Sequence, residues 1–545
     1  EWRRAYGKYG VDGLISTAFG QKSPNSVTQN NSHRQYLTGQ LIAEYKGVFG
    51  KHDINVLGGW SAEENLYEDL QGKRTNIVGN ELPALNLGDT DGWSNAADEN
   101  EWALLSGFMR ASYAFAAKYL VEVNFRADAS SRFSKKNRWG VFPSASVGWR
   151  ITEEKFMQNQ HIFDNLKLRA SWGQLGNQNG LGLYDHIASY NINGYYPFKS
   201  ELGQWAVISK LPSESRTWET VEVKNIAVDM AFLRNRLTVT GEYFIKKNKD
   251  MLVSIEIPSI IGIDVPTGNY GELKVKGWEV TVGWQDKIKD FSYGARFNLS
   301  DQKDKLVDYG VEYNGFVAGV NQKVQGYSLG SIFGYRTDGY FTSEEEVKNS
   351  AAFNKAITGV GDIKYIDKDG DGKISAPNDL EYLGTTTPRY TFGLNLTAAW
   401  KGFDLGVLLQ GVGKRNFYLS SEVMNPYYAT WNNFSYKMHN DYWTPENPNA
   451  AFPRYYAGAN HNYQISDHWL QNAAYVRLKN LQLGYTISPK LTKSWGIQRL
   501  RVYFSGDNLC EYSKLNDNFD PELSNINGYV YPIMRNFSFG INVTL

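Results

Sequence analysis

Three aspartates that share one short loop are the residues best suited to chemistry. The run D-K-D-G-D-G-K-I-S-A-P-N-D (367–379) places Asp367, Asp369 and Asp371 at positions one, three and five of an EF-hand-like loop, with Gly372 at position six. Three carboxylates this close repel one another unless a cation neutralises them. The spacing therefore predicts a calcium ion that rigidifies the loop and has no catalytic role.

The other ligands of this predicted calcium site follow the EF-hand pattern less closely. The main-chain carbonyl of Lys373 occupies position seven, whereas position twelve is Asn378 and the nearest carboxylate, Asp379, comes one residue later. The loop would need a bulge, or a different last ligand, to use Asp379 as a metal ligand. The alternative is an Asp- and Gly-rich turn in water that binds no metal.

Aromatic side chains are concentrated in two long polar segments, 174–218 and 413–474. Flat rings can stack on sugar faces or grip apolar peptide side chains, and a tyrosine hydroxyl adds a hydrogen bond. The alternative is that such rings fill small loop cores or contact a protein partner. The sequence predicts substrate contacts at Trp205, Tyr427, Tyr428 and Trp431.

No arrangement of residues in the sequence predicts catalysis. G-Y-S-L-G (326–330) has the spacing of a nucleophile elbow, but no strand–turn–helix pattern surrounds it. The 7 histidines form no closely spaced metal motif, and the single cysteine excludes an internal disulfide. We expect no enzyme activity and no cofactor other than calcium.

The composition indicates a β-rich chain without a nucleic-acid partner. The 57 basic and 57 acidic side chains give a net charge of zero, so the basic footprint of nucleic-acid binding is missing. The 52 glycines and 14% aromatics suit turns and pleated strands. No apolar run approaches the length of a membrane-spanning helix, but a β-barrel presents the membrane with only every second residue.

Strict alternation of apolar and polar residues predicts the elements that carry these loops. In N-F-S-F-G-I-N-V-T-L (536–545) every second residue is apolar, and 119–126 and 389–400 repeat the pattern. Short turns alternate with long polar connections, as in an antiparallel up-and-down transmembrane barrel. We predict sixteen strands, at 11–19, 36–45, 52–62, 102–114, 119–127, 139–150, 166–173, 219–230, 236–246, 276–285, 291–301, 389–400, 403–412, 475–486, 499–506 and 536–545.

The alternation also predicts where individual side chains face. It slips once near Lys479 and Asn480, as a β-bulge would cause. A charge on the lipid face near the membrane centre costs about 2 to 4 kcal/mol, so arginines within strands should face the lumen. We predict this for Arg169, Arg296, Arg389 and Arg477.

Five stretches, taken together with the C-terminal strand, resemble one protein family. In combination they resemble the SusC/RagA-like TonB-dependent outer-membrane transporters of Bacteroidetes, from about residue 100 to the C-terminus. The stretches are R-A-D-A-S-S-R-F (126–133), G-V-F-P-S-A-S-V-G-W-R-I-T-E-E-K-F (140–156), L-R-A-S-W-G-Q-L-G-N-Q (168–178), D-Y-W-T-P-E-N-P-N-A-A-F-P-R (441–454) and Y-V-R-L-K-N-L-Q-L-G-Y (475–485).

The resemblance implies an all-β barrel of about 22 strands, closed by an N-terminal plug domain and surrounded by outer-membrane lipid. Residues 1–545 would be the transmembrane β-barrel domain without the plug and first strands, and 302–388 a long extracellular loop. The partners it implies are a SusD-like surface lipoprotein, the TonB complex acting through the missing N-terminal region, and a second transporter–lipoprotein pair in a dimer.

Function and location follow from the same resemblance. It implies TonB-dependent import of oligosaccharides or peptides across the outer membrane of a Gram-negative, Bacteroidetes-like bacterium. The residues themselves leave two alternatives open. One is a passive sixteen-stranded porin-like barrel, and the other is a secreted all-β carbohydrate-binding or adhesive module.

Overall fold

A computed structural model describes most of the chain. The described residues are 2–5, 8–9, 15–16, 24–78, 84–198, 201–208, 210–254, 260, 262, 267–310, 316–427, 436–456, 460–523 and 533–545. Tyr428 and Trp431, two of the predicted substrate contacts, lie outside these residues.

Strands dominate the described structure. They are β1 (Trp2–Ala5), β2 (Lys8–Tyr9), β3 (Ile15–Ser16), β4 (Ser26–Phe49), β5 (His52–Thr75), β6 (Ser94–Phe115), β7 (Tyr119–Ser130), β8 (Trp139–Arg150), β9 (Phe163–Asn177), β10 (Tyr190–Phe198), β11 (Glu201–Ile208), β12 (Glu219–Phe232), β13 (Leu237–Val253), β14 (Gly268–Ile288), β15 (Phe291–Tyr309), β16 (Gly319–Gln322), β17 (Ser331–Tyr335), β18 (Thr337–Tyr340), β19 (Ile363–Tyr365), β20 (Leu380–Thr385), β21 (Arg389–Trp400), β22 (Phe403–Lys414), β23 (Asn416–Tyr418), β24 (Leu470–Asn472), β25 (Tyr475–Thr486), β26 (Arg499–Ser513) and β27 (Asn536–Thr544).

Helices are short and lie in the connections between strands. The α-helices are α1 (Glu344–Asn349), α2 (Ser421–Met424) and α3 (Pro489–Thr492). Single 3-10 turns occur at Leu85–Leu87, Ile151–Glu153, Lys155–Met157, Lys437–Asn440, His461–Tyr463, Asp467–Trp469 and Lys493–Trp495. In the described part of the chain, no helix has the length and apolar character needed to cross a membrane.

Sixteen strands form one antiparallel sheet in which each strand pairs with the next one in the sheet. Their order is β1-β4-β5-β6-β7-β8-β9-β12-β13-β14-β15-β21-β22-β25-β26-β27. Fifteen of them coincide with predicted strands. The first does not, because the sheet begins with β1 and the described part of the predicted strand 11–19 is only β3, which pairs with β2.

Two details of strand pairing depart from a regular ladder. The predicted bulge is confirmed, since Leu408 lies opposite Asn480 while Leu409 lies opposite Leu478, leaving Lys479 as the extra residue. Several strands also run further than predicted, and β15 continues to Tyr309, into the segment expected to be loop. Backbone pairing therefore persists beyond the part of each strand that alternates in polarity.

The sheet has one apolar and one polar face. Opposed residues share a face, and pairs such as Leu405 with Leu483 and Phe504 with Phe539 make the first face apolar and exposed. Thr397 lies opposite Gly406 on the second face, which is polar. We call these the outer and inner faces. This arrangement is that of a transmembrane barrel wall.

Short and long connections lie at opposite ends of the strands. Residues 50–51, 116–118, 289–290 and 401–402 are tight turns, and 151–162 and 487–498 are the longest connections at this short-turn end. The connections 178–218, 310–388 and 415–474 lie at the other end, the long-loop end. In the described part of the chain, β27 pairs with β26 alone and residues 30–49 of β4 pair with β5 alone.

Candidate functional site

A charged cavity lies on the inner face near the short-turn end. It has a volume of about 770 Å³ and is lined in part by Lys46, Asp53, Glu122, Lys167 and Arg169. The Arg169 guanidinium donates to carboxylate oxygens of Asp229 at 3.0 Å and Glu242 at 3.1 Å. Arg169, which was predicted to face inward, thus has two acidic partners, on β12 and on β13.

A second cavity, further around the sheet, is lined by both neutral polar and charged side chains. Its volume is about 1010 Å³, and the inner-face side chains lining it include Thr238, Thr281, Asn395, Thr397 and Gln482. Arg296 also lines this cavity. Among the described residues, its exposed guanidinium has no ion-pair partner. Both cavities thus present charged groups, and the second adds several hydroxyl and amide groups.

The other two predicted lumen arginines are tied to the loops and the strand ends. The Arg389 guanidinium forms two hydrogen bonds with the Asp301 carboxylate. Arg477 is buried and contacts Glu511, Asp520 and Glu522. Each arginine therefore anchors the chain where a long connection leaves the sheet.

The long connections pack into a folded unit at the long-loop end, which we call the loop core. Its buried residues come from 310–388, 415–474 and the start of 514–535. Many loop aromatics fill this core, in line with the alternative that such rings form small loop cores. Burial raises the pKa of Tyr418 and Tyr463. The buried members are Tyr335, Ile363, Tyr365, Ile374, Leu380, Phe417, Leu419, Val423, Met438, Phe452, Tyr463, Trp469, Ala473 and Leu515.

A buried carboxylate joins two of these connections. Asp362, with no exposed surface, accepts hydrogen bonds from Asn462 Nδ2 at 2.9 Å, Tyr456 OH at 3.0 Å and the Gly359 amide at 2.8 Å. His461 Nε2 lies 3.0 Å from the same carboxylate. The sequence contains no local signal for this joint, because its two sides are far apart along the chain.

The three aspartates of the predicted calcium site do come together. One carboxylate oxygen from each of Asp367, Asp369 and Asp371 lies within 4.8 Å of the others, and Asp369 and Asp371 are exposed. The amides of Gly372 and Gly370 donate to Asp367 at 2.8 and 2.7 Å, and these bonds lower the pKa of its carboxyl. This triad could hold a metal ion.

The remaining residues of the predicted calcium site have structural contacts of their own. Asp379 is buried, and its two carboxylate oxygens accept the amides of Lys368 at 2.8 Å and Ser375 at 2.7 Å. The Lys373 amide donates to Asp371 at 2.8 Å. Asp379 therefore fastens the two ends of the loop together.

The described substrate-contact candidates are exposed but belong to different loops. Trp205 lies in β11, which pairs only with β10 among the described residues, and is 42% exposed. Tyr427 is 43% exposed and packs edge-on against Tyr455, with ring centroids 5.8 Å apart. Both rings are accessible to a ligand at the long-loop end.

The comparisons with known proteins agree with this architecture. A family model described as TonB dependent receptor-like, beta-barrel matches residues 1–509. TonB-dependent receptor P26 of Formosa agariphila is 30% identical over 530 residues, covering 92% of this chain and 52% of the relative. TonB-dependent receptor SusC of Bacteroides thetaiotaomicron is 28% identical over 463 residues, covering 81% of this chain and 43% of the relative.

A solved structure shows the same fold. The RagAB peptide transporter matches with a TM-score of 0.82 at 23% identity, covering 96% of this chain and 57% of that chain. The chain spans about half the length of the curated relatives it matches.

Proposed function

Because this chain belongs to the TonB-dependent receptor-like β-barrel family, we propose that it forms barrel wall in a transporter that imports oligomeric nutrients across the outer membrane. The observation that carries the proposal is the two-faced sixteen-stranded sheet, with its apolar outer face and polar inner face. A sheet of this kind suits a polar solute pathway through lipid. Its function is transport and not catalysis.

A matched pair of substitutions tests the membrane part of this proposal. Leu396 is 36% exposed on the outer face, whereas its neighbour Thr397 faces Gly406 across the inner face, where an added Cβ would meet nothing within 4 Å. Leu396→Arg should reduce the folded protein in outer-membrane fractions, since a lipid-facing arginine costs about 2 to 4 kcal/mol near the membrane centre. Thr397→Arg should not. Equal abundance of the two variants, or release of the native protein without detergent, would remove the membrane assignment.

We propose oligosaccharides or peptides as cargo, delivered by a SusD-like lipoprotein, with energy supplied through TonB. Support comes from similarity to SusC and to RagAB, which is a peptide transporter. The hydroxyl and amide groups of the second cavity suit either cargo, because both present many hydrogen-bonding groups. Trp205 and Tyr427 are the proposed contacts among the described residues, and Tyr428 and Trp431 remain proposals outside them.

Uptake measurements separate this transporter from a passive porin. Cells that carry the protein should accumulate a labelled oligosaccharide or peptide, and accumulation should stop when TonB is deleted. Continued uptake without TonB would favour the porin. Mass spectrometry of the natively purified protein should find a surface lipoprotein and, in the dimer, a second transporter–lipoprotein pair.

We also propose that the aspartate triad binds calcium as a structural ion. The triad supplies hard oxygen ligands of the type that calcium prefers, and the exposed Asp369 and Asp371 are open to an ion from solution. Elemental analysis of the purified protein should find one calcium that is absent from the Asp369→Asn/Asp371→Asn variant. Unchanged calcium in that variant would exclude the site.

A further inference from the structure

Seven lysines lie together on the outer face of four adjacent strands at the long-loop end. The face follows from strand register: Lys276 lies opposite Ile245 and two residues from Trp278, whose partner Tyr243 also faces outward. We call this group the lysine patch. It consists of Lys224 on β12, Lys247 and Lys249 on β13, Lys274 and Lys276 on β14, and Lys303 and Lys305 on β15.

Within the patch, cations oppose cations across the strands. Lys274 lies directly opposite Lys247 on one side and Lys305 on the other, and Lys276 lies opposite Lys303. Directly opposed residues have Cβ atoms about 4.5 to 5.5 Å apart, and like charges in this arrangement destabilise a sheet. An anion between these lysines would remove that repulsion.

Acidic side chains of the protein neutralise only part of the patch. Glu222 pairs with Lys249 at 2.5 Å and with Lys224 at 3.2 Å, and Glu272 lies 3.6 Å from Lys247. Among the described residues, Lys274, Lys276, Lys303 and Lys305 have no acidic partner within 4.0 Å. Four positive charges thus remain available on this face.

The patch is confined to one side of the sheet. On β6, β7 and β8, at a comparable distance from the short turns, Leu105, Ala129 and Trp139 lie opposite one another on the outer face. Nearer the long-loop end, the outer face of β6 carries the acidic residues Glu99 and Glu101. A concentration of lysines on four adjacent strands suits an anionic ligand.

An apolar groove adjoins the patch. It has a volume of about 610 Å³ and runs along the outer face of β8, β9, β12 and β13, with Lys224 among its lining residues. The small side chains of Ala145 and Ala170 leave room for an occupant there. The other outward-facing lining residues are Val147, Trp172, Ile226, Tyr243 and Ile245.

We propose that the lysine patch and this groove bind an outer-leaflet lipid that has a phosphorylated headgroup and several acyl chains. The ammonium groups pair with phosphate, and the groove covers an acyl chain next to them. The charge of the patch and its position directly above an apolar surface both match an anionic amphiphile. This inference rests on the proposed placement of the sheet in the outer membrane.

Lipid retention tests the proposal. The natively purified protein is placed in nanodiscs of phosphatidylethanolamine that contain either bisphosphorylated lipid A or its dephosphorylated form, and retained lipid is counted by native mass spectrometry. The wild type should retain the phosphorylated form, and Lys303→Gln/Lys305→Gln should retain about thirtyfold less, given the contribution of about 1 kcal/mol per lysine near an anionic surface. The matched control is Lys135→Gln/Lys136→Gln, which removes two exposed lysines from the connection 131–138 and should behave as the wild type.

Two outcomes separate failure of this proposal from failure of the barrel proposal. Equal retention of both lipid forms, or an unchanged Lys303→Gln/Lys305→Gln variant, overturns the lipid site while the protein still inserts into the discs. Exclusion of the protein from both kinds of disc overturns the membrane placement and the lipid site together. Ala170→Phe, which fills the groove, should weaken retention without changing charge.

Discussion

Asp362 and Asn462 hold each other in place across a hundred residues of sequence. Asn462 Nδ2 donates to the Asp362 carboxylate at 2.9 Å, and the neighbouring Ile363 amide donates to Asn462 Oδ1 at 2.9 Å. Both side chains are fully buried. The pair joins the long connections 310–388 and 415–474, which are separated by strands β21 and β22. It therefore acts as a fastening point of the loop core.

Asp362→Ala should loosen the loop core without unfolding the sheet. The substitution leaves the buried Asn462 and Gly359 donors without their acceptor, and His461 and Tyr456 lose the same carboxylate. We expect a local loss of about 3 to 5 kcal/mol. Hydrogen exchange of 437–470 should accelerate accordingly.

Asp338→Ala is the control for this prediction. Like Asp362, Asp338 accepts a hydrogen bond, in this case from Lys364. The Asp338 side chain, however, is 66% exposed. An exposed ion pair contributes about 0 to 1 kcal/mol, so exchange in 437–470 should hardly change. Equal effects of the two alanine substitutions would show that Asp362 is not a fastening point.

The sequence predicts those parts of the fold in which apolar and polar residues alternate with a period of two. The bulge at Lys479 was predictable because an inserted residue reverses the phase of the alternation. The start of β14 at Gly268 was not, because outward-facing residues in this part of the strand, such as Lys274, are polar and the alternation of apolar and polar residues is lost. Strand ends outside the apolar belt have no hydrophobic pattern to mark them.

The features of the candidate site likewise include some that local sequence predicts and some that it does not. The aspartate triad was predictable because its members are two residues apart and the turn between them is encoded locally. The Asp362–Asn462 pair and the lysine patch depend on contacts between distant segments. A lysine at position 274 has no special meaning until register places it between Lys247 and Lys305. Side-chain spacing predicts faces, and only strand pairing predicts neighbours.

Substitutions in the aspartate triad should separate its role in folding from its role in binding an ion. Asp367 accepts the amides of Gly370 and Gly372, so Asp367→Ala should expose the loop to protease even without calcium. Asp369→Asn/Asp371→Asn keeps oxygen acceptors for the amides of Asp371 and Lys373. That variant should resemble the wild type in chelator but gain no protection when calcium is added. Limited proteolysis with and without calcium measures both effects, and calcium protection of the double variant would contradict the assignment.

Arg477 should be needed to hold residues 514–523 against the sheet. Its side chain is 2% exposed and contacts Glu511, Asp520 and Glu522. Arg477→Met leaves these carboxylates without their shared cation, and we expect a local loss of about 3 to 5 kcal/mol. Arg477→Lys keeps the charge but cannot reproduce the planar fork, so its effect should be intermediate. Hydrogen exchange of 514–523 should rank the three proteins, and an unchanged Arg477→Met variant would exclude this anchoring role.

Acid should loosen the loop core through His439. The Tyr436 amide donates to His439 Nδ1 at 3.0 Å, and the opposite ring nitrogen, Nε2, lies 2.8 Å from the Val423 carbonyl oxygen, so the ring is held in its neutral form. Burial lowers the pKa of His439 below its usual value of 6.5. The unfolded loop therefore binds more protons than the folded loop in mildly acidic solution. The stability that neutral His439 contributes is complete above pH 6.5, and it is lost as the pH falls towards the lowered pKa of the folded state.

The measurement is hydrogen exchange of 437–452 between pH 7.5 and pH 5, corrected for the intrinsic pH dependence of exchange. Protection in the wild type should fall over this range. His439→Asn places an amide oxygen where Nδ1 accepts the Tyr436 amide, but cannot take up a proton. It should be less protected at pH 7.5, because it loses the contact with Val423, and should show little further change on acidification. A fall of equal size in both proteins would assign the acid response to other groups.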